Sequence, residues 1–156
     1  MSLEYFYRDE YAERPKAVVA VIPGGGWLHG GMDSVHNPTD WDFYLGAGMM
    51  VVGGRHRPIT EAPYPACRDD VRTALDWLRT NADCLGIRRE SIFLDGGSAG
   101  AHLAALTAGL ESQRGQRDPV RAVVLRAPPV DIRSWYREIC DIEILNDCVH
   151  KLLGGA

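Results

Sequence analysis

Between Ser91 and Ala108 the chain reads SIFLDGGSAGAHLAALTA, a short apolar run that passes through two glycines into a stretch of small residues. That order leaves few folds open, because a strand leading directly into a helix is the repeating unit of a parallel sheet covered by helices. Ile92 to Asp95 read as a buried strand. The chain is expected to turn sharply on Gly96 and Gly97 and to continue as a helix from Ser98. Gly96-Gly97-Ser98-Ala99-Gly100 matches G-x-S-x-G, the pattern of a nucleophile elbow, in the strand–turn–helix setting which that pattern needs. Glycines suit such a corner because the turn is tight and neighbouring chain packs where side chains would otherwise be. Ser98 is then pushed out above the sheet edge, with a helix N-terminus behind it to favour negative charge. The same residues also admit a plainer reading, in which the serine only caps the helix.

The remaining chain repeats the alternation. Leu3 to Tyr11 reads as an edge strand. Ala17 to Ile22 is a continuous apolar run of the kind found in a strand covered on both faces. Pro23-Gly24-Gly25-Gly26-Trp27 stops it, and three glycines at a strand's C-terminal end leave backbone amides free to face a ligand. Leu28 to Pro38 reads as a loop, and Thr39 or Asp40 can cap a helix running through Gly46. Met49 to Val52 forms a second buried strand ending at Gly53-Gly54. From Ala66 to about Ala82, the residues Cys67, Val71, Ala74, Leu75, Leu78 and Ala82 recur at helical spacing and give one apolar stripe. Arg68, Asp69, Arg72, Asp76 and Arg79 read as its solvated face, and Gly86 as its end. Val120 to Ala127 is a further strand closed by Pro128-Pro129, and the tail from Asp131 to Leu153 looks helical in pieces. Ligands of such sheets lie at the carboxyl ends of the strands, so the two glycine corners are expected on one rim.

Composition narrows the function classes. The 156 residues fit one domain, and 46% apolar with 24% charged residues is ordinary for a globular protein. Seventeen basic against 21 acidic residues, a net charge of −4, gives no footprint for nucleic acid or an anionic membrane. No apolar run approaches a membrane span and no leader pattern stands at the N-terminus, so a cytoplasmic location is expected. Cys67, Cys84, Cys140 and Cys148 show no C-x-x-C spacing and read as buried thiols. Neither a metal-binding pattern nor a dinucleotide or P-loop signature is present, so no metal or organic cofactor is expected.

Acyl transfer needs a nucleophile, a base and donors for the developing oxyanion. Ser98 supplies the first, and the amides of Gly25, Gly26 and Ala99 supply donors. With these motifs the chain resembles the α/β-hydrolase fold, in its branch of small carboxylesterases related to hormone-sensitive lipase. That branch carries an H-G-G-G-W/F loop and a G-D-S-A-G-G-H-L-A elbow, matched here by Pro23 to Trp27 and Gly96 to Ala104. Its Y-R-L-A-P-E-x-P-F-P-A segment is matched by His56 to Ala66, and its D-V-R-x-A-L-x-W-L helix by Asp70 to Leu78. The resemblance spans roughly residues 17 to 130, in the family's order.

The resemblance implies a mostly parallel sheet with helices on both faces, C-terminally truncated. Residues 1–156 would form a single partial domain, with 131–156 as a lid or tail. It implies a serine carboxylesterase acting on small carboxylic esters through an acyl-enzyme on Ser98. The alternative is a catalytically inactive, truncated α/β-hydrolase-like binding or interaction protein. Two departures stand out. Pro23 replaces the histidine that helps fix the glycine loop, and proline cannot donate a hydrogen bond there. Family triads run Ser, Asp or Glu, then His, and the strands that would present the last two are absent from the sequence. His102 falls where the family has a structural histidine under the elbow. His150 lies in the tail, with Asp131, Asp141 or Asp147 as partners on paper. His29, His36 and His56 sit in loops near the rim, and Trp27 either lines an acyl pocket or packs on the sheet. An uncovered strand at 120–127 invites self-association or a second polypeptide along that edge.

Overall fold

Six consecutive residues of β2 (Ala17–Ile22) are buried, which explains why this strand shows no alternation of apolar and polar residues. A computed structural model describes residues 3–9, 15, 17–30, 38–138 and 143–155. Lys16, His36, Cys140, Asp141 and most of the loop expected at 28–38 lie outside the described residues, as does the end of the expected first strand.

Five strands form one sheet in the order β1-β3-β2-β4-β5. β3 (Met49–Gly54) and β4 (Ile92–Gly97) flank β2, and both run parallel to it. β5 (Ala122–Arg126) continues the parallel ladder at one edge. β1 (Leu3–Phe6) closes the other edge antiparallel to β3, pairing Leu3 with Gly54.

Alternation along the strands sorts the core into two layers. Val18, Ala20, Ile22, Met50, Val52, Ile92 and Leu94 face α2 (Ala66–Thr80) and α3 (Ala99–Gln113), whose Val71, Leu75, Leu78 and Leu103 complete the larger cluster. Val19, Val21, Val51 and Phe93 face α1 (Pro38–Gly46) through Trp41, Tyr44 and Leu45. α4 (Ile132–Glu138) and α5 (Glu143–Leu152) follow β5, and Cys148 and Leu152 of α5 join the larger cluster.

Several expectations need correction. α2 ends at Thr80 rather than Ala82: the Asn81 side chain donates to Trp77 O at 2.8 Å, and Gly86 (φ 67°) closes the turns that follow. Arg79 does not belong to a solvated face. It is 8% exposed and makes a two-point ion pair with Glu111 of α3, both N–H···O distances being 2.8 Å. Glu111 also accepts from the Val120 amide at 3.3 Å, which ties the start of β5 to both helices. Asp70 is buried as well. Burial pushes its carboxyl up, but the Arg57 guanidinium and amide outweigh that and hold it below the ordinary carboxylate range. Cys67 and Cys148 are buried free thiols, whereas Cys84 is exposed. No helix among the described residues is long and apolar enough to cross a membrane.

Candidate active site at the elbow

The register of the sheet brings the ends of β2 and β4 side by side, with Ile22 opposite Gly96. The chain then changes direction at Ser98, not at the two glycines before it. β4 runs straight through Gly96 and Gly97, which pair with Leu125 and Arg126. Ser98 takes the corner itself at φ 52° and ψ −122°. Such a left-handed conformation costs a non-glycine residue about 1–3 kcal/mol and is retained where the surroundings fix it. Here the Ser98 amide donates to Arg126 O at 2.8 Å, and the Ser98 carbonyl accepts from the His102 amide at 3.1 Å.

The side chain of Ser98 makes no capping hydrogen bond to α3, so helix capping does not account for a serine at this strained position. The residue is exposed at the rim. Immediately behind it the small residues permit close packing. A Cβ at Gly96 would lie 2.5 Å from the Gly100 carbonyl, and one at Gly100 would lie 2.6 Å from Pro23 O. Gly97, by contrast, has open space where its side chain would be.

The second corner meets the first. A Cβ at Gly24 would stand 2.7 Å from Gly97 O and 3.5 Å from Ser98 Cβ. Gly25, Gly26 and Trp27 follow with φ of 83°, 61° and 60°, and the Leu28 amide closes the turn on Gly25 O at 3.0 Å. Among the described residues, neither the Gly25 nor the Gly26 amide has an acceptor. Ala99 is the first residue of α3, where backbone amides lack intrahelical partners. The glycine corner thus carries amides without an internal partner and meets the exposed Ser98 through Gly24; unpaired backbone amides of this kind can bind an anion.

The aromatic and histidine residues divide clearly. Trp27 is 1% exposed; its ring meets His102 edge-on at 5.5 Å and lies 6.3 Å from Trp135, so it packs beneath the rim. Burial holds His102 below the usual histidine range, which keeps the imidazole neutral at pH 7. His56 is buried rather than at the rim, with its amide donating to Gly30 O at 3.1 Å. His29 packs against Gly25, and His150 pairs with Tyr136 at 2.8 Å. Among the described residues, none of these histidines is hydrogen-bonded to the Ser98 hydroxyl.

Two supports were missed from sequence. Asp95, 2% exposed, receives the Tyr44 hydroxyl at 2.8 Å and lies 3.1 Å from the Arg126 guanidinium, which pins the end of β4 to α1 and β5. A carboxylate inside an otherwise apolar strand was the available signal. Cys148 of α5 touches the glycine corner, and no local pattern marks that contact.

Comparisons with known proteins bear on the family and the fold. The family described as BD-FAE matches residues 5–156. Carboxylesterase NlhH of Mycobacterium tuberculosis is 41% identical over 93 residues, covering 60% of this chain and 29% of that protein. Ethyl acetate hydrolase of Pseudomonas putida is 32% identical over 116 residues, covering 74% of this chain and 36% of that protein. The chain thus spans about a third of the length of these curated relatives. Among solved structures, the carboxylesterase EstE1, cloned from a metagenomic library, superposes with a TM-score of 0.81 at 22% identity, covering 97% of this chain and 54% of that one. That likeness establishes the α/β-hydrolase fold.

Proposed function

The chain belongs to the BD-FAE family of carboxylesterase-type hydrolases, and from that membership we propose that it carries the nucleophile and oxyanion hole of a serine esterase. Ser98 Oγ attacks the carbonyl carbon of a small carboxylic ester, and the carbonyl oxygen becomes an oxyanion held by the amides of Gly25, Gly26 and Ala99. Collapse of the tetrahedral intermediate breaks the bond to the alkoxy oxygen, and the alcohol departs with the proton that Ser98 Oγ gave up. The acyl-enzyme left behind is hydrolysed by water to the carboxylic acid, with the Ser98 hydroxyl restored. Each oxyanion donor contributes about 3 kcal/mol to the barrier reduction. The hydrolysis of ethyl acetate named for the Pseudomonas putida relative supports a short acyl chain. No residue of this chain is assigned as acid or base.

One observation carries the reading. An exposed serine occupies a left-handed corner that glycine would fill without strain, makes no cap, and stands beside amides with no partner. The test is covalent labelling of the full chain with a fluorophosphonate, read by intact mass. Labelling at Ser98 that disappears in Ser98→Ala is expected. A folded chain that takes up no probe contradicts the proposal and leaves the hydrolase-like binding module as the reading.

A further inference from the structure

Helix α5 lies against the glycine corner. Its Cys148, Val149 and Leu152 are 2%, 1% and 2% exposed and form one buried stripe. Its C-terminal end is fastened by the Tyr64 amide, which donates to Leu152 O at 2.9 Å, and Gly154 packs on Pro63 beyond it. At the other end of the stripe the Cys148 sulfur reaches Gly26. It lies 3.2 Å from the position of a Cβ on that glycine, and among the described residues no other atom outside the adjacent chain comes within 4 Å.

Gly25 differs from Gly26 in this respect, because its neighbour is His29 of the same loop. The loop therefore contacts itself at Gly25 and is held from outside at Gly26. Pro23, at the start of the corner, offers no amide proton to secure it. Gly26 itself has a left-handed φ of 61° and an amide without an acceptor, and within the loop the peptide that carries this amide is held through Gly25 O, which accepts from the Leu28 amide at 3.0 Å. Burial, with Asp147 adding to it, pushes the Cys148 thiol up, so a neutral and polarisable sulfur faces the glycine at pH 7.

We propose that Cys148 is a positioning residue: by seating its sulfur against Gly26, α5 holds in place from outside the hydrogen-bonded turn that carries the Gly26 amide at the rim beside Ser98. This rests on reading Gly26 as an oxyanion donor, and it makes α5 part of the site's support rather than a loose tail. Packing contacts of this kind are short-ranged, so removal of one sulfur leaves a gap into which the corner can relax.

The test follows amide hydrogen exchange by NMR in the full chain. The Leu28 and Ile59 amides report on the corner, because they donate to Gly25 O and Trp27 O at 3.0 and 2.9 Å. Cys148→Ala is expected to speed their exchange about tenfold through local opening. The Leu153 amide, which donates to Val149 O within α5, keeps its rate. Cys148→Val, which places a methyl group where the sulfur lies, restores the slow exchange. In parallel, the maximal rate of fluorophosphonate labelling of Ser98 falls about tenfold in Cys148→Ala with the probe's half-saturation unchanged, and recovers in Cys148→Val. Unchanged exchange at Leu28 and Ile59 overturns the inference. So does acceleration shared with Leu153, which marks a merely structural role. Absence of labelling in the unsubstituted chain refutes the esterase reading instead, and the exchange rates still decide this one.

Discussion

Replacing Gly100 by alanine sets local propensity against tertiary packing. Gly100 lies in the first turn of α3, where alanine is favoured over glycine by about 1 kcal/mol on propensity alone. Its added Cβ, however, would lie 2.6 Å from Pro23 O and 2.8 Å from Ile22 C, with Ile22 O nearer still, whereas ordinary contact begins at 3.4 Å. These are backbone atoms at the end of the central strand, so no side chain can rotate out of the way. Overpacking of this kind costs about 3 kcal/mol, at the upper end of the usual range. The net expectation is a loss of about 2 kcal/mol once the propensity gain is offset against the clash. For a chain of this size that lowers Tm by about 4–8 °C. Gly109→Ala in the same helix is the control, because nothing lies within 4 Å of its Cβ position. It is expected to raise stability by about 1 kcal/mol, or about 2–4 °C. Thermal and urea unfolding followed by circular dichroism measure both. A Gly100→Ala protein as stable as the unsubstituted chain, with Gly109→Ala behaving as expected, would falsify the close approach of α3 to β2 on which the elbow geometry depends.

Five other substitutions probe four separate parts of the structure. Ser98→Gly is expected to abolish probe labelling and raise stability by about 1 kcal/mol in urea titration, because glycine relieves the left-handed strain. Arg79→Met leaves Glu111 buried without its cation and should cost about 3–5 kcal/mol, whereas Arg79→Met with Glu111→Leu should cost clearly less; equal losses would contradict the buried pair. His102 has a folded pKa below its unfolded value, so protons favour the unfolded chain and stability falls as the pH drops below about 6.5. In His102→Leu that portion of the pH–stability profile flattens, and a profile identical to the unsubstituted chain would refute the assignment. Finally, we expect self-association through the β5 edge, where Val124 is 46% exposed over an apolar groove of about 390 Å³ lined in part by Val19, Met49 and Phe93. Light scattering at micromolar concentration should show oligomers that Val124→Lys reduces, and a monomer at all concentrations would exclude them.

Much of the layer structure was legible in the sequence. Strands buried on both faces must be apolar throughout, so the runs at 17–22 and 49–52 could be read without partners. The stripe through Cys67, Val71, Leu75 and Leu78 followed from helical period alone. The candidate site's residues were legible for a related reason: Ser98, Gly24, Gly25, Gly26 and Gly96 are constrained by backbone geometry or close approach, and such constraints leave their mark at the position itself, whereas Gly97 has open space. Where the sequence reading failed, the deciding partner was remote. Arg79 looked like its solvated neighbours because the carboxylate that buries it is 32 residues away. The corner looked like a property of Gly96 and Gly97, yet Ser98 takes it, where α3 packs closely against the end of β2.

The sequence by itself determined the alternation of strands and helices, and with it that two glycine-rich ends share one rim, because periodicity and backbone sterics act over a few residues. Tertiary structure alone decided that the Ser98 hydroxyl is left uncapped, that Trp27 is buried beneath the rim, and that the Cys148 sulfur rests on Gly26. Those outcomes depend on which surfaces meet across the fold, and contact energies of about 0.1–0.2 kcal/mol per atom pair have no counterpart in local spacing.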